Sequence, residues 1–172
     1  MTRRSNGMKI GTGWDIHRLV PGRRLLIGGV EVPAEKGEDG HSDGDALIHA
    51  LIDALFGALS LGDIGSHFPS DDAKWKDSDS MHLLASALKE IDGNRIVNID
   101  STVILQTPRL REYINAIRIS IAEACSLPID RVSVKAKTAE HLLGELGTGD
   151  AICAQVSVLI AEGPDVPQSD WL

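Results

Sequence analysis

Between positions 45 and 59, Leu47, Ile48, Leu51, Ile52, Leu55, Phe56 and Leu59 recur at helical spacing. They define an apolar face that a helix cannot leave in water, so a second layer must cover it. Ser42 or Asp43 is the expected N-cap, and Gly62 stands where the helix should stop. Residues 8–14 read as a first strand entering a glycine-punctuated loop. Residues 24–27 and 30–32 are β-rich and flank Gly28 and Gly29, the pattern of a hairpin. Residues 35–44 read as a loop and 81–91 as a second helix. Residues 96–105 form a strand, Pro108 opens a third helix, and 132–136 and 151–161 give the last strands. The tail, 163–172, is expected to be extended and loosely held.

This order lacks a regular strand–helix alternation, which disfavours a doubly wound parallel sheet. The expected fold class is α+β: a single-layer mixed β-sheet, helices packed on one face, and a small β-hairpin extension. A chain of 172 residues suits one domain, with its core at about 8–161. Charge excludes some partners. Seventeen basic against 25 acidic residues give −8, which argues against nucleic acid, and three Trp, two Phe and one Tyr provide little for base stacking. No apolar run reaches the roughly 20 residues of a membrane span. The N-terminus MTRRSNG is followed by no apolar signal core. A bacterial cytosol is therefore expected, ahead of a plastid stroma. Cys125 and Cys153 sit in apolar stretches and read as buried, reduced thiols.

Chemistry concentrates in three places. In GTGWDIH, Asp15 and His17 are two apart, so an extended backbone points both to one side. Alone, such a pair is a common surface feature. His49, one turn after Asp45, would by itself read as a core histidine. Together the three make a ligand set with one tetrahedral position open, the arrangement of catalytic zinc. His41, Ser42, Asp43 and Gly44 precede the helix where backbone N–H groups favour a phosphate, although Asp43 and Asp45 read as structural. Thr138 and Glu140, at the end of VKAKTAEH, alternate on one side of the chain. The hydroxyl suits a phosphate oxygen, and the carboxylate suits Mg²⁺.

Taken together, GTGWDIHR, IGGVEVPAEKG, HSDGDALIHALIDALFGALSLGDIG, FPSDD and VKAKTAE resemble the 2-C-methyl-D-erythritol 2,4-cyclodiphosphate synthase family, from about Lys9 to Ile160. The resemblance implies a homotrimer with active sites between subunits and a four-stranded mixed sheet. It implies zinc on Asp15, His17 and His49, and Mg²⁺ or Mn²⁺ on Glu140. His41 and Thr138 would position phosphates and stabilise the transition state, with Ser42 beside them. Asp63, Ile64 and Gly65 would hold the methylerythritol hydroxyls, and Phe68, Pro69, Ser70, Asp71 and Asp72 would line the substrate pocket. Leu105, Gln106, Thr107, Pro108, Arg109, Leu110, Arg111 and Lys137 would surround the cytidine phosphate. The implied reaction is cyclisation of a cytidine diphosphate substrate with loss of CMP.

Two departures accompany the resemblance. HLLGELGTGDA, residues 141–151, replaces the family's K-L-G-F-x-G-R-x-E-G, and Lys137 stands where Thr is more usual. They keep two other readings open: a zinc phosphohydrolase of a nucleoside diphosphate compound, and a trimeric zinc module that binds CDP compounds without turnover.

Overall fold

Helix α1 (Ala46–Ala58) is apolar nearly all round rather than on one face. Of its residues only His49, Asp53 and Gly57 escape full burial, and they fall on a single stripe at four-residue spacing. The reason lies in strand β1 (Met8–Pro21), which packs directly against the helix backbone. A Cβ on Gly11 would lie 1.9 Å from the Ala54 carbonyl oxygen, and one on Gly13 would lie 1.9 Å from that of Ala50. These glycines therefore do not end the strand in a loop, as the sequence suggested. They let two backbones approach, and β1 continues through Asp15 and His17 to Pro21.

The computed structural model describes residues 7–40, 43–69 and 78–163. The expectations for His41, Ser42, Ser70, Asp71, Asp72 and tail residues 164–172 lie outside them. The main sheet has five strands in the order β4-β1-β7-β5-β6, one more than the resemblance implied. The others are β4 (Lys36–Asp39), β5 (Asn94–Leu105), β6 (Val132–Lys137) and β7 (Ala151–Glu162). Among the described residues, only β5 and β6 pair in parallel. Strand β4, expected as loop, is a short polar edge that offers no apolar alternation to read.

Strands β2 (Leu25–Ile27) and β3 (Val30–Val32) form the expected hairpin, turning at Gly28 and Gly29 with φ of 60° and 76°. Asp45 locks this turn to α1. Its carboxylate accepts from Gly28 N (3.0 Å), Gly29 N (2.6 Å) and Ile48 N (3.1 Å). The N-cap of α1 is thus Asp45, not Ser42 or Asp43. Asp43 instead accepts from Ser80 N (3.1 Å) at the start of α3 (Ser80–Glu90). Helices α2 (Ile64–His67) and α4 (Ile114–Ala124) complete the helical side. Helix α4 starts later than Pro108 suggested, because residues 106–113 form a loop and turn.

The opposite sheet face is bare along β1. Ile10 is 73% exposed and Trp14 57%, with Met8 and Ile16 beside them. At one end Ala139 and Leu146, the latter in short helix α5 (Glu145–Thr148), pack on Ala151 and Cys153. Both cysteines are free, Cys153 buried and Cys125 half-buried; burial pushes their thiols up to about 11 and about 12. Among the described residues, no helix is long and apolar enough to cross a membrane.

Candidate metal centre and ligand cavity

Asp15, His17 and His49 converge as the spacing suggested. The ligand atoms of all three lie within 4.8 Å of one another. His17 Nε2 and His49 Nδ1 each stand 3.1 Å from Asp15 Oδ2, and the rings meet edge to face. Tetrahedral zinc at its usual bond lengths spaces its ligands by about 3.3 Å, so the donor set fits such an ion.

Each ring is held from behind. His17 Nδ1 donates to the Gly44 carbonyl oxygen (2.7 Å) and to Glu38 Oε2 (2.8 Å). That leaves Nε2 as the nitrogen offered to a cation. His49 Nε2 donates to Ser80 Oγ (3.0 Å), which donates in turn to Asp43 Oδ1. That relay leaves His49 Nδ1 facing Asp15. Partners of this kind fix the tautomer and aim of metal-binding histidines. Electrostatics follow the geometry. Burial works to raise the Asp15 pKa, but the two histidines outweigh it and hold the carboxyl well below the usual carboxylate range. Burial likewise opposes charge on His17, yet hydrogen bonds to Asp15 and Glu38 raise it to about 10. For Glu38 burial wins over the His17 hydrogen bond, and its carboxyl is pushed up to about 8.

Asp53 continues the stripe one turn after His49. Its Oδ1 accepts from Ile64 N (2.7 Å), tying α2 to the same side of α1. Asp63 caps α2 through Ser66 N (2.8 Å) and Ser66 Oγ (2.6 Å), bonds that hold its carboxyl below the usual range. The ring of Phe68 is buried in the main core, near Phe56, so its backbone is what it can offer a ligand. Pro69 is half-buried beside it.

A second group forms elsewhere. Leu105, Pro108, Arg109, Leu110 and Arg111 meet Lys137, Thr138 and Glu140 around a cavity of about 890 Å³. Three cations thus line a pocket in an acidic chain. The Thr138 hydroxyl donates to Glu140, whose φ is 51°. Gln106 reaches the His141 ring (3.3 Å), and exposed Thr107 approaches Gly149. The departing segment begins in left-handed backbone at Glu140, His141, Leu143 and Gly144, with Leu142 and Leu143 exposed. Among the described residues the metal group and this cavity share none. Sheet register aligns Asp15 with Ala154, Val103 and Ala136, so the two stand level but three strand spacings apart, roughly 14 Å.

The profile of the YgbB family matches residues 8–161. The chain belongs to the YgbB family. It is 54% identical over 155 residues to 2-C-methyl-D-erythritol 2,4-cyclodiphosphate synthase of Laribacter hongkongensis, covering 89% of this chain and 95% of that one. The Burkholderia ambifaria enzyme of the same name is 53% identical, over 90% and 96% of the two chains. Among solved structures, a CDP-bound 2C-methyl-D-erythritol-2,4-cyclodiphosphate synthase superposes with a TM-score of 0.81 at 36% identity, over 88% of this chain and 99% of that one. The bifunctional IspDF of Campylobacter jejuni gives 0.86 at 37% identity, over 91% of this chain and 42% of that one.

Three side chains that serve the site in this YgbB family chain escaped the sequence reading: Glu38, Asp53 and Ser80. Asp53 had left a signal, being an acid four residues after His49 on an aliphatic helix. Ser80 left none, since only the fold brings α3 to α1.

Proposed function

We propose that this chain converts 4-diphosphocytidyl-2-C-methyl-D-erythritol 2-phosphate into 2-C-methyl-D-erythritol 2,4-cyclodiphosphate and CMP. The observation that carries the reading is the convergence of Asp15, His17 and His49 in a chain 54% identical to a synthase of that product. The 2-phosphate attacks the β-phosphorus in line, and CMP departs. A phosphate is already a nucleophile, so positioning and charge neutralisation supply most of the rate. When bound, zinc at Asp15, His17 and His49 and Mg²⁺ or Mn²⁺ at Glu140 supply Lewis-acid neutralisation of phosphoryl oxygens. The Thr138 hydroxyl and His41 orient the phosphates, with Ser42 beside them. Arg109, Arg111 and Lys137 give the cavity the positive charge a cytidine diphosphate needs. Asp63, Ile64 and Gly65, tied to Asp53, hold the methylerythritol hydroxyls. By the resemblance, Phe68, Pro69, Ser70, Asp71 and Asp72 belong to the substrate pocket, and Leu105, Gln106, Thr107, Pro108 and Leu110 embrace the nucleotide.

One substrate must touch both groups, yet they stand apart within one chain. A trimer that buries the open sheet face, with Ile10, Trp14 and Ile16, would bring the metal group of one copy to the cavity of the next. Sedimentation at assay concentration tests the assembly. The cytosolic setting belongs to the same proposal.

Phosphorus NMR of protein, substrate, Zn²⁺ and Mg²⁺ tests the reaction. The expected outcome is a cyclic diphosphate signal with stoichiometric CMP. CMP with only linear phosphate would make the chain a phosphohydrolase, and CDP binding without turnover would leave a binding module. Glu140→Gln is expected to keep zinc, lose on the order of a hundredfold in rate, and stop responding to added Mg²⁺. A Mg²⁺ titration identical to that of the parent would assign Glu140 another role.

A further inference from the structure

Glu38 belongs to a four-residue edge strand and still has 0% of its surface exposed. Its Oε2 accepts from His17 Nδ1 (2.8 Å) and from Ala46 N (2.9 Å). Among the described residues, its buried Oε1 has no hydrogen-bond partner. For folding alone the lone oxygen is a cost, because a buried carboxyl oxygen without a partner gives up its hydration for nothing in return. Nor does His17 need it merely to satisfy Nδ1, since the Gly44 carbonyl oxygen already accepts there at 2.7 Å. What the carboxyl group adds is a second anchor behind the ring whose far nitrogen faces Asp15.

We infer that Glu38 is a positioning residue for the metal centre: it holds His17 with Nε2 aimed at the point shared with Asp15 and His49, and strengthens donation from that nitrogen to a divalent cation. A carboxylate behind a ligating imidazole acts in this way on general grounds. The inference rests on the reading of Asp15, His17 and His49 as metal ligands and adds a residue outside that set. It also explains why the fold tolerates the unpartnered Oε1: stability is given up for affinity at the site.

The test compares full-length parent, Glu38→Gln and Glu38→Leu, each stripped of metal. Zn²⁺ affinity is read by competition with a chromophoric chelator, Co²⁺ ligation by the visible spectrum, and metal-free stability by the thermal midpoint. Both variants are expected to bind Zn²⁺ about ten- to a hundredfold more weakly, with altered Co²⁺ bands. The metal-free midpoint of Glu38→Gln, which can still accept from Ala46 N, should stay within a few degrees of the parent, whereas Glu38→Leu leaves that N–H without its acceptor and should lie lower. Affinities within about twofold of the parent would overturn the inference while leaving the metal reading intact. So would a loss of affinity that tracks a fall in the metal-free midpoint in both variants, which is the signature of a structural role. A parent that binds neither Zn²⁺ nor Co²⁺ would overturn the metal reading and the inference with it.

Discussion

His49→Ala is expected to retain no stoichiometric zinc and to lose on the order of a thousandfold in turnover. The imidazole supplies Nδ1, 3.1 Å from Asp15 Oδ2, and its loss leaves Asp15 and His17 as the remaining donors. Neutralising a phosphoryl oxygen is worth several kcal/mol, and about 1.4 kcal/mol corresponds to a factor of ten in rate. The fold should survive the change. Position 49 is half-buried in α1, alanine favours a helix, and Ser80 keeps its bonds to Asp43. Metal analysis, the phosphorus NMR assay and a thermal midpoint on one preparation separate the effects. Near-normal turnover in a metal-free His49→Ala protein would sink the zinc assignment.

Gly13→Ala should destabilise the chain by about 3 kcal/mol or more and lower the thermal midpoint by roughly 10 °C. The added methyl would lie 1.9 Å from the Ala50 carbonyl oxygen and 2.7 Å from Ala54 N. Both are backbone atoms with no rotamer to yield, so α1 must move away from β1. His49 is next to Ala50, and Asp15 is two residues from Gly13, so zinc affinity should fall along with stability. Gly57→Ala is the control. Its Cβ would meet only Thr12 O at 3.8 Å, an ordinary contact, and alanine gains roughly 1 kcal/mol over glycine in a helix. A Gly13→Ala midpoint within a degree or two of the parent would show that β1 and α1 are not held this closely.

The ligand set was legible in its parts, and the packing of β1 on α1 is what joins them. A two-residue repeat brings Asp15 and His17 to one side, and a helix of aliphatics makes His49 conspicuous. Thr138 and Glu140 were legible from their alternation and residue types, but that Leu105 to Arg111 meet Lys137 and Thr138 was not, since the parallel pairing of β5 with β6 brings them together. The glycines misled. In sequence Gly11 and Gly13 look like loop punctuation, and only the position of α1 turns them into the condition for close packing. Strand β4 was missed for a related reason: Lys36, Gly37, Glu38 and Asp39 read as solvated, and nothing local says that Glu38 turns inward. The cap was mislaid by two or three residues because Asp43 and Asp45 are equally good N-cap types. The choice fell to whichever could also reach Gly28 and Gly29.

That same carboxylate of Asp45 joins two elements that would otherwise open separately. A two-stranded ribbon such as β2–β3 is marginal on its own in water. Its turn amides are closed by the group that caps α1, so the ribbon cannot fray without stripping the helix of its cap. The pair is therefore expected to open as one cooperative unit in native-state hydrogen exchange. Protection at Gly28 and Gly29 should then report on α1, the most deeply buried helix among the described residues, rather than on a surface turn.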